Sequence, residues 1–143
     1  MAESLFVHVR RIGWGDTDAA RIVYTARVGY FGMEAIEAWF VDRLGVDWFT
    51  LNTVHGYGTP FVHMEVDFRA PMAPPDELRT TVRLDRLGRS SLSFVLSSVK
   101  GATGVLCWEG RFTCAFIDTA AFRSIEVPEM FRAAVAREAA LGP

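Results

Sequence analysis

The order of extended and helical patterns along the chain constrains its fold most strongly. An alternating run at Leu5–Ile12 predicts a first strand, and apolar residues at helical spacing over Val28–Leu44 predict one long helix that ends at Gly45. A last helix is predicted to begin near Pro128. Between the helices lie four further extended patterns: Phe61–Arg69, Leu78–Leu87, Ser91–Lys100 and Val105–Ile117. This order is an α+β pattern, with one long helix laid on an antiparallel sheet.

The predicted architecture leaves part of the sheet uncovered. One long helix covers only part of one sheet face, and the edge strands keep unpaired backbone N–H and C=O groups. A second copy of the chain is the simplest cover for such surfaces. The sequence therefore predicts a homo-oligomer.

Composition limits the class of protein. The 143 residues fit a single domain over residues 1–143, and a hydrophobic content of 50% with 22% charged residues is typical of a globular chain. The formal net charge of −2 argues against a general binder of nucleic acids or membrane surfaces. No signal-peptide pattern opens the chain, and no apolar run approaches about 20 residues. We therefore expect a cytoplasmic protein.

Cysteine and histidine usage predicts neither a disulfide nor a metal site. Cys107 and Cys114 lie seven positions apart in one predicted strand, which places their side chains on opposite faces if the strand is regular. A reducing compartment fits this pattern. His8, His55 and His63 have no Cys or His partner at the spacing of a metal site.

The stretch Trp14–Tyr24 carries the clearest chemical signal. It places Asp16 and Asp18 on a Gly-led turn between the first strand and the long helix. A carboxylate at such a junction can face a reacting carbonyl, while unpaired N–H groups at the helix start face the developing oxyanion. The alternative is that both residues only cap the turn and the helix, as Asp commonly does. Asp16 is the one that we expect to act as a turn residue.

Five short motifs follow one another in a specific order. They are Gly15–Tyr24, Gly58–Pro60, Ala70–Asp76, Leu87–Leu92 and Arg123–Pro128. Together they resemble the 4-hydroxybenzoyl-CoA thioesterase family of hotdog-fold acyl-CoA thioesterases, and the first motif is the most specific. The resemblance covers nearly the whole chain. It implies a hotdog fold, in which an antiparallel sheet wraps around a long central helix, and hydrolysis of an acyl-CoA to the free acid and coenzyme A.

The resemblance also assigns roles to individual residues. Asp18 matches the catalytic carboxylate, which either attacks the thioester carbonyl to give a mixed anhydride or acts as general base for water. The backbone N–H groups of Thr25 and Tyr24 match the oxyanion donors. The coenzyme A-binding positions are Arg89, Ser90, Ser91 and Arg123, and the substrate-pocket positions are Thr59 and His63. No metal or redox cofactor is implied. The resemblance implies a homodimer or a homotetramer, with the sites between subunits.

Two positions depart from the family's pattern. Arg21 stands where the family usually has glycine, and an arginine is tolerated there if the backbone does not need a positive φ. Its side chain could also reach a phosphate of the ligand. Thr25 stands where tyrosine or histidine is common, which changes the shape of the pocket but leaves the backbone N–H in place.

The resemblance favours an aromatic, benzoyl-type acyl group, with a short-chain aliphatic acyl-CoA as the first alternative. A hotdog hydratase or dehydratase would need a histidine or carboxylate pair near the double bond of the acyl chain, and no Asp-x-x-x-x-His arrangement is present. A non-catalytic acyl-CoA-binding module would keep the phosphate contacts and the pocket without needing Asp18.

Overall fold

The computed structural model describes residues 4–141, so residues 1–3 and 142–143 of the predicted domain lie outside the described range. The elements, in chain order, are β1 (Phe6–Arg11), α1 (Thr25–Trp39), α2 (Trp48–Thr53), β2 (Tyr57–Gly58), β3 (Phe61–Phe68), β4 (Glu77–Leu87), β5 (Ser91–Lys100), β6 (Leu106–Ala115), β7 (Ile117–Asp118), β8 (Arg123–Ser124) and α3 (Glu129–Ala139). A 3₁₀ turn at Trp14–Asp16 precedes α1, and a π-helical turn at Phe40–Leu44 follows it.

The main sheet has five strands in the order β1-β4-β5-β6-β3, and every neighbouring pair is antiparallel. A second, three-stranded sheet joins β2, β7 and β8. Helix α1 packs against one face of the main sheet, as the sequence predicts for an α+β chain with a hotdog fold.

The close approach of α1 to the sheet depends on Gly32. A Cβ atom at this position would lie 2.4 Å from the ring of Phe112 on β6, so only glycine lets the helix sit this deep. At the end of the helix, the Trp39 ring meets the Phe94 ring edge-on at 4.9 Å. The other buried side chains of α1 are Val28, Phe31, Ala35 and Ile36.

The helix boundaries differ in part from the prediction. Helix α1 begins at Thr25, three residues before the predicted Val28. The continuous helix predicted to Leu44 is wrong in its last turn, because Phe40–Leu44 is π-helical and leaves Val41 51% exposed. Gly45 ends the helix as predicted, with a φ of 73° in the left-handed region that glycine adopts freely. The five strands of the main sheet agree closely with the extended patterns in the sequence, whereas the second sheet of β2, β7 and β8 was not predicted.

Strand β3 forms one edge of the main sheet, and its apolar side is only partly covered within the protomer. Val62 is 67% exposed and Met64 is 46% exposed, although their alternating pattern is that of a half-buried strand. Its outer row of backbone groups faces no neighbouring strand among residues 4–141. An exposed edge with apolar side chains is a surface on which another chain can pair.

The two ends of the main sheet hold different parts of the predicted site. Arg11, which leads into the Asp18 loop, pairs with Glu77 at the first residue of β4. The Gly88–Ser90 turn follows the last residue of this 11-residue strand. At about 3.3 Å per residue, β4 separates the two ends by roughly 30 Å.

Candidate active site

The loop that carries Asp18 is closed by its own backbone. The Asp18 N–H donates to the Ile22 carbonyl at 3.1 Å, and the Arg21 N–H donates to the Asp18 carbonyl at 2.9 Å. The Asp18 side chain turns outward, is exposed, and accepts the Ala20 N–H through Oδ1 at 2.8 Å. This turn fixes the carboxylate while one of its oxygens stays free of hydrogen bonds within residues 4–141.

The Asp16 carboxylate, unlike that of Asp18, points inward and is held by several hydrogen-bond donors. Its carboxylate accepts the Gly13 N–H at 2.9 Å, the Arg27 guanidinium at 2.8 Å and the Arg10 guanidinium at 3.1 Å. Its side chain is only 7% exposed. Arg10 comes from β1 and Arg27 from α1, so this one carboxylate ties the strand, the loop and the helix together. The structure thus bears out the expectation that Asp16 is a turn residue.

Opposing effects set the pKa of Asp16. Burial alone would raise the pKa of this carboxyl group, but the Gly13 N–H and the Arg27 and Arg10 guanidinium groups outweigh it and hold the pKa below its ordinary value. Asp16 is therefore ionised at neutral pH and binds both arginines.

A second carboxylate extends this cluster along α1. Glu34 accepts Arg10 at 2.5 Å and the His8 ring at 3.1 Å, both from β1. Burial would raise the pKa of Glu34, but these partners hold it below its ordinary value. The Arg10 guanidinium also lies 4.3 Å above the Phe31 ring. The start of α1 is therefore fixed to β1 by charge pairs as well as by apolar packing.

A cavity of about 890 Å³ opens beside the Asp18 carboxylate. The exposed Trp14 ring stands on its wall at 90% exposure, which is unusual for a tryptophan and leaves its face available for stacking. The remaining lining residues are Gly15, Thr17, Ala19, Arg21 and Pro74. The cavity thus combines a carboxylate, a cation and an aromatic surface.

Arg21 adopts a backbone conformation that is rare for its residue type. Its φ is 70°, in the left-handed region that costs a side-chain-bearing residue about 1–2 kcal/mol relative to the right-handed one. The sequence-based condition for tolerating arginine here, that no positive φ is needed, is therefore wrong. Within residues 4–141, no other side chain pairs with the Arg21 guanidinium.

The start of α1 offers unpaired backbone N–H donors within residues 4–141, and the first of them is on Thr25. The Tyr24 N–H donates to the Asp16 carbonyl at 2.9 Å, so this group is already engaged and cannot serve as the second oxyanion donor in this conformation. Thr25 is the first helical residue, and its N–H has no partner among the hydrogen bonds of residues 4–141. A smaller cavity of about 320 Å³ adjoins Thr25, with Val28 and Met72 in its wall.

The four predicted coenzyme A-binding residues gather at the far end of the sheet. The Phe116 N–H donates to the Ser90 carbonyl, and the Val127 N–H donates to the Arg89 carbonyl. These bonds place the Gly88–Ser90 turn against Phe116, which precedes β7, and against Val127, which follows Arg123 on β8. Arg89 is exposed, and its guanidinium binds Glu126 at 2.9 Å. None of these residues lies near Asp18 of the same protomer.

Thr59 and His63 occupy the beginning of the edge strand. Thr59 lies between β2 and β3, and the exposed His63 side chain is 3.7 Å from Glu65. Phe61, at this end of β3, pairs with Cys114, whereas Phe68 at the other end lines the cavity beside Thr25. The predicted pocket residues therefore also lie away from Asp18 within one protomer.

Sequence reasoning missed the residues that hold the loop. Arg10, Arg27 and Glu34 were not singled out, because no motif joins three charges from a strand and a helix. The available signal was the strand pattern itself: His8 and Arg10 share one side of β1, the side that turns toward α1. A charged pair on the buried side of a strand indicates a partner carboxylate.

Comparison with known proteins shows the family to which this chain belongs. The model of the thioesterase-like superfamily matches residues 12–135. The chain adopts the fold that defines hotdog acyl-CoA thioesterases, and it belongs to the thioesterase-like superfamily. A thioesterase-superfamily structure from Jannaschia sp. CCS1 is 37% identical, covers 96% of this chain and 94% of that one, and superposes with a TM-score of 0.88.

Two further relatives have names that specify an activity. A 1,4-dihydroxy-2-naphthoyl-CoA hydrolase from Synechococcus elongatus is 36% identical over 90 residues, which are 62% of this chain and 64% of that protein. The match thus spans less than two thirds of this curated relative. A 1,4-dihydroxy-2-naphthoyl-CoA thioesterase from Synechocystis shares the fold at 20% identity, with a TM-score of 0.85 over 93% of this chain and 96% of that one.

Proposed function

We propose that this protein hydrolyses an acyl-CoA thioester, with an aromatic, benzoyl-type acyl group as the preferred substrate and Asp18 as the catalytic carboxylate. The observation that carries the proposal is the Asp18 side chain, which is exposed on the wall of a large cavity and is held there by a closed turn. The family supports the reaction type, since its fold is that of thioester hydrolases.

The reaction needs a nucleophile and an oxyanion donor. Either the Asp18 carboxylate attacks the thioester carbonyl carbon and gives a mixed anhydride that water then hydrolyses, or Asp18 removes a proton from the water that attacks. In both routes the C–S bond breaks, the sulfur leaves as the coenzyme A thiolate and takes up a proton, and the acyl group leaves as the free acid. The unpaired Thr25 N–H is the proposed oxyanion donor. The mechanism invokes no metal ion or redox cofactor.

The separation of the predicted residues supports a site that is shared between protomers. Asp18 and Arg89 lie at opposite ends of β4, too far apart for both to act on one substrate within a protomer. Antiparallel pairing of β3 with the same strand of a second copy would bring the partner's Phe61 end beside this protomer's Phe68 end. The exposed apolar side chains of β3 support this pairing.

The preference for an aromatic acyl group rests on two observations. The exposed Trp14 ring in the Asp18 cavity offers a surface for stacking a planar group. The named relatives act on 1,4-dihydroxy-2-naphthoyl-CoA, which is an aromatic thioester. Short-chain aliphatic acyl-CoA esters remain the alternative class.

The two free, buried cysteines fit the reducing, cytoplasmic setting that the sequence predicts.

Release of free coenzyme A from a panel of thioesters tests the proposal. We expect turnover of benzoyl-type esters with a kcat/KM at least about tenfold above that of short aliphatic esters, because an aromatic ring can stack on Trp14 and a short chain cannot. The opposite ranking would assign the aliphatic class. Tight acyl-CoA binding without release of thiol would indicate a binding module, and hydration of an enoyl-CoA would indicate the hydratase; both outcomes contradict the proposal.

A further inference from the structure

We propose that Arg21 binds an anionic oxygen group, such as a carboxylate, on the acyl part of the substrate, and so determines which thioesters the enzyme accepts. This inference rests on the proposed function, because it assigns a role to a side chain within the same cavity. Three features of Arg21 carry it: its backbone conformation, its position in the cavity and its unpaired charge.

The backbone conformation indicates that this position is not optimised for stability. Arg21 has a φ of 70°, in the left-handed region where glycine is the least strained residue. An arginine in this conformation is more strained than a glycine would be, and strain of this kind is concentrated at functional sites. We therefore infer that the Arg21 side chain has a function that offsets the strain.

The Arg21 side chain has no structural task within the described part of the chain. The other arginines around this loop, Arg10 and Arg27, both bind Asp16, whereas the Arg21 guanidinium has no partner among residues 4–141. It lines the same cavity as the Asp18 carboxylate. An unpaired guanidinium offers five N–H donors in a planar fork that matches a carboxylate.

Its place in the turn favours the acyl group over the phosphates of coenzyme A. The Arg21 N–H bonds to the Asp18 carbonyl at 2.9 Å, which closes a four-residue turn whose end Cα atoms lie within about 7 Å. Arg21 therefore stands beside the residue proposed to act on the thioester carbonyl, and the long pantetheine arm separates that carbonyl from the phosphates. A cation here also offsets the repulsion between Asp18 and an anionic acyl group.

Matched substrates and variants test this role. The substrate pairs are 3-carboxybenzoyl-CoA with 3-methylbenzoyl-CoA, and glutaryl-CoA with hexanoyl-CoA. We expect the wild type to favour the carboxylated member of at least one pair, and Arg21→Gln to lower kcat/KM for that member by about 10- to 100-fold while leaving the uncharged member within about threefold. Arg21→Lys keeps the charge without the planar fork, so its kcat/KM for the carboxylated member is expected to lie between those of the wild type and Arg21→Gln.

Two controls separate this effect from misfolding and from a general loss of charge. Arg21→Gly removes the side chain and relieves the backbone, so its Tm is expected to rise by about 3 °C or more while the preference is lost. Arg11→Gln removes an exposed charge from the neighbouring strand, on the side that faces away from Asp16, and is expected to keep the preference.

The source of the bound anion is tested with the same acyl groups on pantetheine, which carries no phosphate. The proposal predicts that the effect of Arg21→Gln persists on the pantetheine esters. If Arg21→Gln lowered kcat/KM equally for all coenzyme A esters but not for the pantetheine esters, Arg21 would bind a phosphate and the proposal would be overturned. It would also be overturned if Arg21→Gln kept the wild-type preference between carboxylated and uncharged substrates. Calorimetric binding of the matching thioether analogues gives the same comparison without turnover, so a failure of hydrolysis and a failure of this inference are distinguishable.

Discussion

Replacing Asp18 with asparagine is expected to lower kcat by about 10²- to 10⁴-fold, the range that a positioned acid–base group typically contributes. The asparagine side chain keeps an oxygen that can accept the Ala20 N–H, so the turn at Asp18 is expected to remain closed. It cannot act as a base and is a poor nucleophile. The loss should therefore appear in kcat, measured as release of free thiol, with KM and Tm close to those of the wild type.

Asp118 provides a matched control for this substitution. Its Oδ1 atom accepts the Ala120 N–H at 2.9 Å, in the same two-residue arrangement that Asp18 makes with Ala20. Asp118→Asn should therefore keep kcat. If Asp18→Asn kept most of its activity while its fold was intact, Asp18 would be only a capping residue, and another group would have to perform the chemistry.

Asp16→Asn is expected to destabilise the fold by about 2–3 kcal/mol at pH 7, because it leaves two partly buried arginines without their shared carboxylate. The side chain of Asp16 is 7% exposed, whereas those of Arg10 and Arg27 are 20% and 35% exposed, so solvent limits the loss. Chemical denaturation of the variant and the wild type measures the difference. Activity should also fall, since the Asp18 loop loses its anchor to β1 and α1.

This loss of stability should depend on pH. The pKa of Asp16 is held below its ordinary value of 3.8 in the folded chain, so its ionised form contributes stability at pH values above that ordinary value. The contribution is lost as the pH falls through the folded-state pKa. The gap in unfolding free energy between wild type and Asp16→Asn should therefore be constant from pH 5 to 7 and should narrow below about pH 4. A gap that stayed constant down to pH 2 would contradict this account.

Asp85 is the control carboxylate for Asp16. It also binds two arginines, Arg83 at 3.1 Å and Arg111, and the bond from Arg111 contributes most to holding its pKa below the ordinary value. Its side chain is 26% exposed and belongs to the uncovered face of the sheet. Asp85→Asn should cost at most about 1 kcal/mol and leave activity unchanged. Comparing Asp16→Asn with Asp85→Asn separates the effect of a buried carboxylate that anchors the Asp18 loop from the effect of losing two arginine contacts at the surface.

Periodicity in the sequence was sufficient to predict the five strands of the main sheet. Strand β5 was predicted at its observed bounds, since Ser91–Lys100 lies between turns that contain Gly88 and Gly101. The stop at Gly45 was also predictable, because a left-handed residue after a helix favours glycine. Each of these features depends on residues that lie close together in the sequence, so the sequence pattern alone predicts it.

The site depends on contacts that no local pattern contains. Strand β1 turns His8 and Arg10 toward α1 and leaves Val7 and Val9 more than 40% exposed, the reverse of the usual apolar-inward arrangement. It does so because Asp16 and Glu34 supply carboxylates on the other side of the contact. Only the folded chain brings these groups together. The left-handed conformation of Arg21 likewise follows from closure of the whole loop.

Complementation between two impaired variants tests most directly the central claim that Asp18 of one protomer hydrolyses an acyl-CoA held by another. Asp18→Asn removes the proposed catalytic carboxylate, and Arg89→Glu is expected to lower kcat/KM at least about tenfold by repelling the phosphates. In a dimer, a hybrid of the two variants contains one doubly altered site and one intact site.

The measurement is the rate of thiol release at low substrate concentration, before and after the two variants exchange subunits, with exchange verified by native mass spectrometry. The account predicts recovery to about a quarter of the wild-type rate, since half of the randomly mixed dimers are hybrids with one intact site of two. A rate that stays at the average of the two parents, although hybrids have formed, would contradict a shared active site built around Asp18.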